Sequence, residues 1–461
     1  MLFLSLSDID LIPVSALNAT GIELRVDLFH EIDLGKVKDL LLKSSLPFLL
    51  TLRSSSHGGK CSLPIQQRMK LIEDLCKLKP SFIDLEYDLP SDFLLHIVHS
   101  YPKTFPILSY HNCHHTPKNI ELIYLHMSKI PAFAYKIATR VDSTTEALQL
   151  LLLTQKHPKL SIIPMGEKGS FARIISLTYK NKIGFASLCN KEVTAPGQIS
   201  LEELTSIYRY PTLTEDVDLY GLIGDPVSQS IGHLYHNLAF KQKNKNALYV
   251  KMSVTPSELP IFFSLAREIG FKGFSVTTPL KEKVLPFIDI LDAEVSSIQA
   301  CNTLLLKSEK ILGKNVDGMG ALNALEKYVS VSGKKIVLLG AGGSCKAIAF
   351  EAKKRGAKVH ISNRTLEKAK QLSVSLGTTF SSLEELPLSY DVLINTTSHS
   401  MPIDQEQIIS NCLAMDINYT PKETLFLQAA KKQGCKIVYG EEMFRCQAEQ
   451  QSNLWNEEGG L

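Results

Sequence analysis

A lysine inside an apolar stretch is the first residue whose type and position could support chemistry. Lys136 lies in the apolar run 132–138, where an ammonium group is costly to bury unless it is paired or deprotonated. Desolvation favours the neutral amine, which can attack a carbonyl carbon. Two interpretations of Lys136 therefore stay open: an imine-forming nucleophile, or a structural ion pair with Glu23 or Glu86.

Other polar residues interrupt or end neighbouring apolar runs: Glu23, Arg25, Arg53, Asp84, Glu86 and His111. His111 is the nearest general base by strand order, although a histidine at such a place can also be a core residue with satisfied hydrogen bonds. The segment 111–115 has the composition of a metal site. However, adjacent strand-end side chains point in different directions and no acid completes a ligand shell, which disfavours that interpretation.

The elements that must position these residues are short apolar runs typical of buried strands. They cover residues 2–7, 22–29, 48–53, 82–87, 107–111, 133–139, 161–165 and 183–188. Helical patterns separate most of them, for example at 66–78 and 144–154, whereas the first connection, 8–20, is too short for a full helix. Eight alternating units predict an α/β fold of the (β/α)8 TIM barrel type, with the active site at the carboxyl ends of the strands.

A linker candidate lies near the middle of the chain, which at 461 residues should hold two or three domains. A Pro/Gly loop at 194–198 and a helical pattern at 201–208 are followed by a polar, acidic segment at 211–218. An apolar strand restarts at 219–223 and ends in a turn at 224–226.

The second half contains a strand, glycine turn and helix in the order that binds dinucleotides. A strand at 335–339 runs into the glycine-rich turn 340–347, followed by a helix at 347–355. Glycines there let backbone N–H groups approach a pyrophosphate, although Cys345 replaces the third glycine and an ordinary βα turn is the alternative. The next strand ends in Asn363, Arg364 and Thr365 without an acid, which favours a ribose 2′-phosphate and therefore NADP.

Composition excludes several other classes of function. The chain is 44% hydrophobic and 21% charged with a net charge of +3, so no basic field indicates nucleic acid. No apolar run reaches the ~18 residues of a membrane span, and the start lacks the basic region of a signal peptide. Nine cysteines without a CxxC pair indicate reduced thiols. We expect a cytoplasmic enzyme acting on small molecules, with no indication of its oligomeric state.

Residues 1–209 resemble the type I 3-dehydroquinate dehydratases through several motifs in the same order. These are ELRVD from Glu23, Arg53 followed by Gly58-Gly59, SYHNCHHTP from Ser109, the lysine strand, MGEKGSFAR from Met165 and TAPGQIS from Thr194. The resemblance implies that Lys136 forms a Schiff base with the substrate ketone, and that His111 removes the proton alpha to the imine and helps expel water. It implies that the substrate's hydroxyls and carboxylate are held by Glu23, Arg25, Arg53, Met165, Arg173, Thr194 and Gln198. One departure is His57, which stands where the family usually has a glutamate bonded to the catalytic histidine.

Residues 219–461 resemble the shikimate dehydrogenases. The matching motifs include GDPVSQS, FSVTTPLKEKV, ACNTL, NVDGMGA, GAGGSCKA, NRTLEKA and YGEEMFRCQAEQ. Lys281 alone could be a charged residue near a helix start, but the resemblance makes Lys281 and Asp317 the catalytic pair. The implied substrate contacts are Ser230, Thr277, Asn302, Tyr419 and Gln447. The implied NADP contacts are Gly340, Ala341, Gly342, Gly343, Asn363, Arg364 and Thr365. Ser275 replaces a frequent asparagine and Gly232 a frequent serine.

Together the two halves predict dehydration of 3-dehydroquinate to 3-dehydroshikimate, followed by reduction with NADPH to shikimate. The expected domains are the barrel at 1–210, a linker at 211–218, a substrate-binding lobe at 219–320 completed by 440–461, and a Rossmann-like NADP lobe at 321–439. A quinate-oxidising dehydrogenase fused to the dehydratase is an alternative, and so is a regulatory binding protein that has lost its chemistry. Retention of all four catalytic candidates argues against the latter.

Overall fold

The computed structural model describes residues 1–8, 18–179, 181–189, 194–195, 197–307 and 309–456. The chain divides into two compact units. The first comprises Met1–Leu219, Phe240–Val254 and Pro260–Phe271, and the second comprises Tyr220–Ala239, Thr255–Leu259 and Lys272–Leu461.

Eight parallel strands form the centre of the first unit. They are β1 (Leu2–Leu6), β2 (Gly21–Arg25), β3 (Phe48–Thr51), β4 (Phe82–Glu86), β5 (Phe105–Asn112), β6 (Ala134–Arg140), β7 (Leu160–Met165) and β8 (Gly184–Ser187). Their order is β7-β6-β5-β4-β3-β2-β1-β8, and β1 pairs with both β2 and β8. The sheet is therefore a nearly closed barrel, and the predicted fold class is confirmed. The predicted connection at 8–20 lies largely outside the described residues.

Helices follow the strands, as the alternating pattern predicted. They are α1 (Leu34–Lys43), α2 (Ile65–Lys77), α3 (Ser91–Ser100), α4 (Ile120–Met127), α5 (Thr144–Lys156), α6 (Ser170–Ser176) and α7 (Leu201–Ser206). Side-chain caps begin several of them, because Asp33, Ser143 and Ser200 accept hydrogen bonds from the orphan backbone N–H groups of the first turn.

Aromatic and aliphatic side chains fill the amino-terminal end of the barrel. Phe3 packs edge-on against Phe82 at 5.5 Å between ring centroids and stacks with Phe185 at 5.7 Å. Leu49 and Ile107 are fully buried in the same cluster. Since this end is closed by apolar side chains, polar side chains in the barrel gather towards the carboxyl ends of the strands.

The remaining strands belong to two six-stranded sheets. The first of these sheets contains β9 (Asp218–Gly224), β10 (Ala247–Ser253), β11 (Phe271–Val276), β12 (Ile290–Leu291), β13 (Thr303–Lys307) and β14 (Lys310–Lys314). Its helices are α8 (Gly232–Gln242), α9 (Leu259–Ile269), α10 (Leu280–Lys283), α11 (Ala293–Ile298) and α12 (Asp317–Leu325). The strands β13 and β14 pair antiparallel as a hairpin.

The last sheet is fully parallel and has helices between its strands. Its strands are β15 (Lys335–Leu339), β16 (Lys358–Ser362), β17 (Thr379–Ser381), β18 (Val392–Asn395), β19 (Leu413–Asp416) and β20 (Lys436–Val438). Its helices are α13 (Gly343–Lys354), α14 (Leu366–Leu376), α15 (Leu425–Lys432) and α16 (Gly440–Asn456). The order β17-β16-β15-β18-β19-β20 is that of a doubly wound sheet, with the glycine turn at the central strand β15.

The glycine turn after β15 needs a residue without a side chain. Gly340 has φ +118°, and a Cβ there would lie 2.7 Å from Thr396 Oγ1. The following helix begins at Gly343, four residues before the predicted start, because Gly342 already serves as its N-cap. Glycine destabilises the interior of a helix, but Gly343 is the first residue of this one. Across the described ranges, none of the helices has the length and apolar character that crossing a bilayer requires.

Candidate active sites

A cavity with several charged side chains in its lining opens in the barrel, with about 600 Å³ of empty space. Every catalytic and substrate-binding residue predicted in the first half lines it: Glu23, Arg25, Arg53, His111, Lys136, Met165, Arg173, Thr194 and Gln198. These residues come from different strands and loops, as expected for the carboxyl end of such a barrel. The cavity is therefore the candidate site of the first unit.

The strand register places Lys136 and His111 at successive levels of the barrel wall. Lys136 of β6 pairs with Ser109 of β5, and Ala138 pairs with His111. Because alternate residues of a strand face the same side, Lys136 and Ala138 both line the cavity, as do Glu23 and Arg25 of β2. The register therefore places His111 two residues closer to the carboxyl ends of the strands than Lys136.

Lys136 is buried among charges of both signs. Its Nζ lies 3.5 Å from Asp84 Oδ2, 3.9 Å from Glu23 Oε1 and 4.0 Å from the ring centroid of Phe185. Burial lowers the pKa of Lys136; Glu23 and Asp84 oppose the shift, and Arg53 and Arg25 add to it. Net depression of the pKa favours a neutral amine, as nucleophilic attack requires.

The two interpretations of Lys136 therefore coexist in one arrangement. The predicted ion pair with Glu23 is present at 3.9 Å. The predicted alternative pair with Glu86 is wrong, because Arg53 and Arg68 pair with that carboxylate at 3.1 and 2.9 Å, and Asp84 is the carboxylate beside Lys136 instead.

Arg53 organises the carboxylates below the cavity. Its guanidinium donates to Asp84 at 2.7 Å, to Glu86 at 3.1 Å and to the hydroxyl of Ser109 at 2.9 Å. Burial alone would raise the pKa of Asp84, but Arg53, together with Lys136, holds it below its usual range. The turn after Arg53 requires glycine at 59, since a Cβ there would lie 2.1 Å from the carbonyl oxygen of Arg53.

The environment of His111 disfavours its protonated form. Burial, Arg53, Lys136, His57 and Arg25, in decreasing order, lower its pKa well below the usual range. Its Nδ1 is buried and has no hydrogen-bond partner among the described residues. These surroundings favour the neutral imidazole, which is the form that can accept a proton.

His57 lies between His111 and two acids. The rings of His57 and His111 have centroids 6.1 Å apart, and Nε2 of His57 lies 3.4 Å from Oδ2 of Asp88. Its Nδ1 lies 4.0 Å from Glu86 Oε1, beyond hydrogen-bonding distance. His57, Glu86 and Asp88 are also close enough to hold an ion, but the two arginines on Glu86 already compensate its charge.

Cations suited to a substrate carboxylate surround the cavity. Arg25 forms a bidentate salt bridge with Asp27, with hydrogen bonds of 2.8 and 2.9 Å, and also donates to the carbonyl of Thr194. Thr194 in turn donates to Gln198 through both its backbone N–H and its hydroxyl. Burial lowers the pKa of Arg173 to about 10, which leaves it positively charged at neutral pH.

A second cavity, of about 790 Å³, lies within the second unit and contains Lys281. Lys281 donates to Oδ2 of Asp317, and the same oxygen accepts from the hydroxyl of Ser344 at 3.1 Å. The other oxygen, Oδ1, accepts from Asn302 at 2.6 Å and from Gln447. The predicted pair is thus in contact, and two of the predicted substrate contacts hold its carboxylate.

The remaining predicted substrate contacts, Ser230, Thr277 and Tyr419, follow β9, β11 and β19. The hydroxyl groups of Ser230 and Tyr419 are joined by a hydrogen bond. Thr277 follows β11, and its backbone N–H donates to Ile223 at 2.9 Å. Ser275, the residue that departs from the family pattern, uses its hydroxyl on Gln451 at 2.8 Å, so its side chain supports α16.

The predicted cofactor residues lie at the carboxyl ends of adjacent strands. Gly340, Ala341, Gly342 and Gly343 connect β15 to α13, whose exposed N-cap is Gly342. A Cβ at Gly342 would meet nothing within 4 Å, so the turn is open to a close-fitting ligand. After β16, the side-chain amide of Asn363 donates to the carbonyl of Thr365, and Arg364 is exposed without an ion-pair partner among the described residues.

Sequence reasoning missed several side chains that complete these sites. Ser5 donates to Glu23 in the barrel, and Phe185 faces Lys136. Ser344 contacts both members of the pair in the second cavity. Ser5 and Phe185 lie in strands whose hydrophobic pattern does not indicate a functional role for them. Ser344 lies within the glycine motif, where its hydroxyl beside the turn could have been identified from the sequence.

Three family models match the chain in succession. Residues 7–215 match the model described as type I 3-dehydroquinase. Residues 222–304 match the shikimate dehydrogenase substrate binding domain, and residues 323–424 match shikimate / quinate 5-dehydrogenase.

Two curated relatives are similar over nearly the whole chain. The shikimate biosynthesis protein AroDE of Chlamydia pneumoniae is 38% identical over 94% of this chain and 89% of that protein. The chloroplastic bifunctional 3-dehydroquinate dehydratase/shikimate dehydrogenase of Arabidopsis thaliana is 33% identical over 95% of this chain and 78% of that protein.

Two solved shikimate dehydrogenases are each similar to about half of this chain. A shikimate dehydrogenase in complex with NADP+ is 33% identical, with a TM-score of 0.51 over 53% of this chain and 91% of that chain. The shikimate 5-dehydrogenase of Thermus thermophilus in complex with NADP(H) and shikimate is 30% identical, with a TM-score of 0.50 over 52% of this chain and 94% of that chain.

The neutrality of His111 can be tested by titration. We expect NMR of histidine-labelled protein to place the His111 midpoint below 6.5, because burial and neighbouring cations disfavour the imidazolium. His57→Glu should raise that midpoint by introducing an anion beside the ring. His57→Gln is the control, since it removes the same ring without adding charge. Equal shifts in the two variants would contradict the electrostatic explanation.

Proposed function

The chain belongs to the family that joins a type I 3-dehydroquinase to a shikimate dehydrogenase, so it is a bifunctional enzyme of shikimate biosynthesis, and we propose how its two sites work. The first site dehydrates 3-dehydroquinate to 3-dehydroshikimate through a lysine Schiff base. The second reduces 3-dehydroshikimate to shikimate with NADPH. The observation that carries the proposal is that the motif residues of the first activity line one cavity around buried Lys136, while Lys281 lines the second cavity beside Gly342 and Gly343 and bonds Asp317.

In the dehydratase step, the neutral amine of Lys136 attacks the substrate ketone, and water leaves as the imine forms. His111 then takes a proton from the carbon alpha to the imine, and the bond to the departing hydroxyl breaks as the double bond forms. The same proton leaves with the hydroxyl as water, and hydrolysis of the imine releases 3-dehydroshikimate. The depressed pKa values of Lys136 and His111 support these roles, because both groups act in their neutral forms.

The remaining residues of the barrel cavity bind the substrate. Buried cations and hydrogen-bonding groups fix its carboxylate and hydroxyls against the reacting centre. The proposed contacts are Glu23, Arg25, Arg53, Met165, Arg173, Thr194 and Gln198. The support is that all seven line the same cavity as Lys136.

In the reductase step, bound NADPH supplies hydride to the ketone carbon. Lys281 donates the proton that the ketone oxygen needs as the hydride arrives, and Asp317 holds the ammonium in place. Asn302 and Gln447 fix the carboxylate of Asp317. We propose Ser230, Thr277, Asn302, Tyr419 and Gln447 as the substrate contacts.

The turn between β15 and α13 suits the pyrophosphate of NADP. Backbone N–H groups at a helix start bind phosphate, and the open space at Gly342 permits close approach. Arg364, with Asn363 and Thr365, offers donors to a ribose 2′-phosphate without an acid to repel it. Relatives named shikimate dehydrogenase (NADP(+)) support this assignment.

The proposed domains are the dehydratase at 1–210, a linker at 211–218, the substrate-binding lobe at 219–320 with 440–461, and the NADP lobe at 321–439. β9 already begins at Asp218. We propose a cytoplasmic location and small-molecule partners only, namely 3-dehydroquinate, 3-dehydroshikimate and shikimate.

One assay tests both activities together. With 3-dehydroquinate and NADPH, the enone absorbance should rise first and NADPH should then be oxidised, because the product of the first site is the substrate of the second. Oxidation rates with shikimate and quinate, measured side by side, separate a shikimate dehydrogenase from a quinate enzyme. Absence of enone formation would contradict the dehydratase assignment.

Lys136 should be the residue that forms the imine. Borohydride reduction in the presence of 3-dehydroquinate should add the ligand mass to the peptide containing Lys136, because reduction makes the imine permanent. Lys136→Ala should lose dehydration and retain reduction of added 3-dehydroshikimate. Borohydride without substrate is the control, and label on another peptide would refute the assignment.

Arg364 should set the preference for NADPH over NADH. One charge-assisted hydrogen bond of ~1.5–3 kcal/mol corresponds to roughly 10- to 150-fold in affinity. Arg364→Ala should therefore raise KM for NADPH at least about tenfold with little loss of kcat, since the 2′-phosphate is remote from the transferred hydride. Lys370→Ala, which removes an exposed cation of the following helix α14, is the matched control. A preference of the unmodified protein for NADH would overturn the assignment.

A further inference from the structure

The hydroxyl of Ser344 connects the glycine turn to the lysine–aspartate pair. Its Oγ lies 2.9 Å from Nζ of Lys281 and 3.1 Å from Oδ2 of Asp317. An ammonium can only donate and a carboxylate can only accept. Ser344 therefore accepts from Lys281 and donates to Asp317, and the three side chains form a closed ring of hydrogen bonds.

The ring orients Lys281 from two sides. An ammonium has three N–H donors, of which one is used on Asp317 and one on Ser344. The third is left for the oxygen of a bound ketone. Because Asn302 and Gln447 occupy the other oxygen of Asp317, the carboxylate cannot easily rotate, and Ser344 is the second anchor that defines where Nζ lies.

Ser344 also belongs to the turn proposed to hold the cofactor pyrophosphate. It is the second residue of α13, directly after Gly343. The turn packs on Lys281 along its length, since a Cβ at Gly343 would lie 3.5 Å from Cδ of Lys281. A larger side chain at 343 would press on this lysine, and the hydroxyl at 344 bonds to it. The glycine turn and Lys281, the proposed proton donor, are therefore in direct contact.

We propose that Ser344 is a positioning residue of the reductase, which holds Lys281 for proton transfer and ties its position to the cofactor-binding turn. This inference rests on the proposed function, in which Lys281 is the proton donor. Ser344 acts through Lys281 and Asp317, so its loss slows proton transfer more than it weakens substrate or cofactor binding.

The test compares Ser344→Ala with Ser344→Thr in the full chain. Loss of one hydrogen bond to a charged group should lower kcat for 3-dehydroshikimate reduction about tenfold in Ser344→Ala. The Kd for NADPH, measured by its fluorescence, should change less than about twofold. The solvent deuterium isotope effect on kcat should rise, because proton transfer limits the rate more strongly. Ser344→Thr, which restores a hydroxyl, should recover most of the rate.

Two controls separate a positioning role from a structural one. Ser375→Ala removes a hydroxyl of α14 that bonds only within its helix, and it should leave all reductase parameters unchanged. Dehydratase activity, which depends on the first unit, reports the integrity of the preparation. Ser344→Gly also lacks the hydroxyl and requires less space than alanine. It should show the same defect as Ser344→Ala, which would exclude a steric clash as the cause.

The possible outcomes distinguish this inference from the proposed function. Lys281→Ala should abolish reduction; if it does not, the proposed reductase mechanism is wrong. If Lys281→Ala abolishes reduction while Ser344→Ala keeps its kcat and isotope effect, the inference about Ser344 is wrong and the proposed function stands. A rise in the NADPH Kd with unchanged kcat would also overturn the inference, because it would make Ser344 a cofactor-binding residue only.

Discussion

Burial of charge in the barrel is the constraint on which the first site depends. Lys136, Arg53, Asp84 and Glu86 are nearly inaccessible to solvent, and each must find opposite charge or hydrogen bonds within a few ångströms. Asp84 is central, because it bonds Arg53 and Ser109 and also lies beside Lys136. Removal of one partner from such an arrangement typically destabilises by ~3–5 kcal/mol. Loss of any one partner is therefore expected to destabilise the fold, and within this network burial lowers the pKa of Lys136.

The second site uses a lysine differently. Asp317 is almost fully buried, with a side-chain exposure of 2%, whereas Lys281 keeps 17%. Four donors surround the carboxylate: Lys281, Asn302, Ser344 and Gln447. Such an arrangement holds the carboxylate and the ammonium in fixed positions. One chain thus contains a lysine buried among charges of both signs and a partly exposed lysine that bonds one aspartate and one serine.

Each of the two cavities is lined by residues of one unit. The residues lining the first cavity fall between Ser5 and Gln198, and those lining the second fall between Thr278 and Asn418. A substitution in one cavity is therefore expected to leave the other chemistry in place. Because of this separation, the second activity can serve as an internal control for variants of the first.

The sequence by itself determined the fold class, the order of strands and helices and the residues to be considered for catalysis. Buried parallel strands are recognisable as apolar runs, and a polar residue within such a run, such as Lys136, needs a reason. Only the tertiary structure decided which charges meet. That Asp84 rather than Glu86 lies beside Lys136, that His57 stands between His111 and Asp88, and that Ser344 bonds both Lys281 and Asp317 depend on strand register and on distances across sheets and helices. Contacts between residues far apart in the chain leave no periodic signal in the sequence, because each side chain is compatible with several partners until packing selects one.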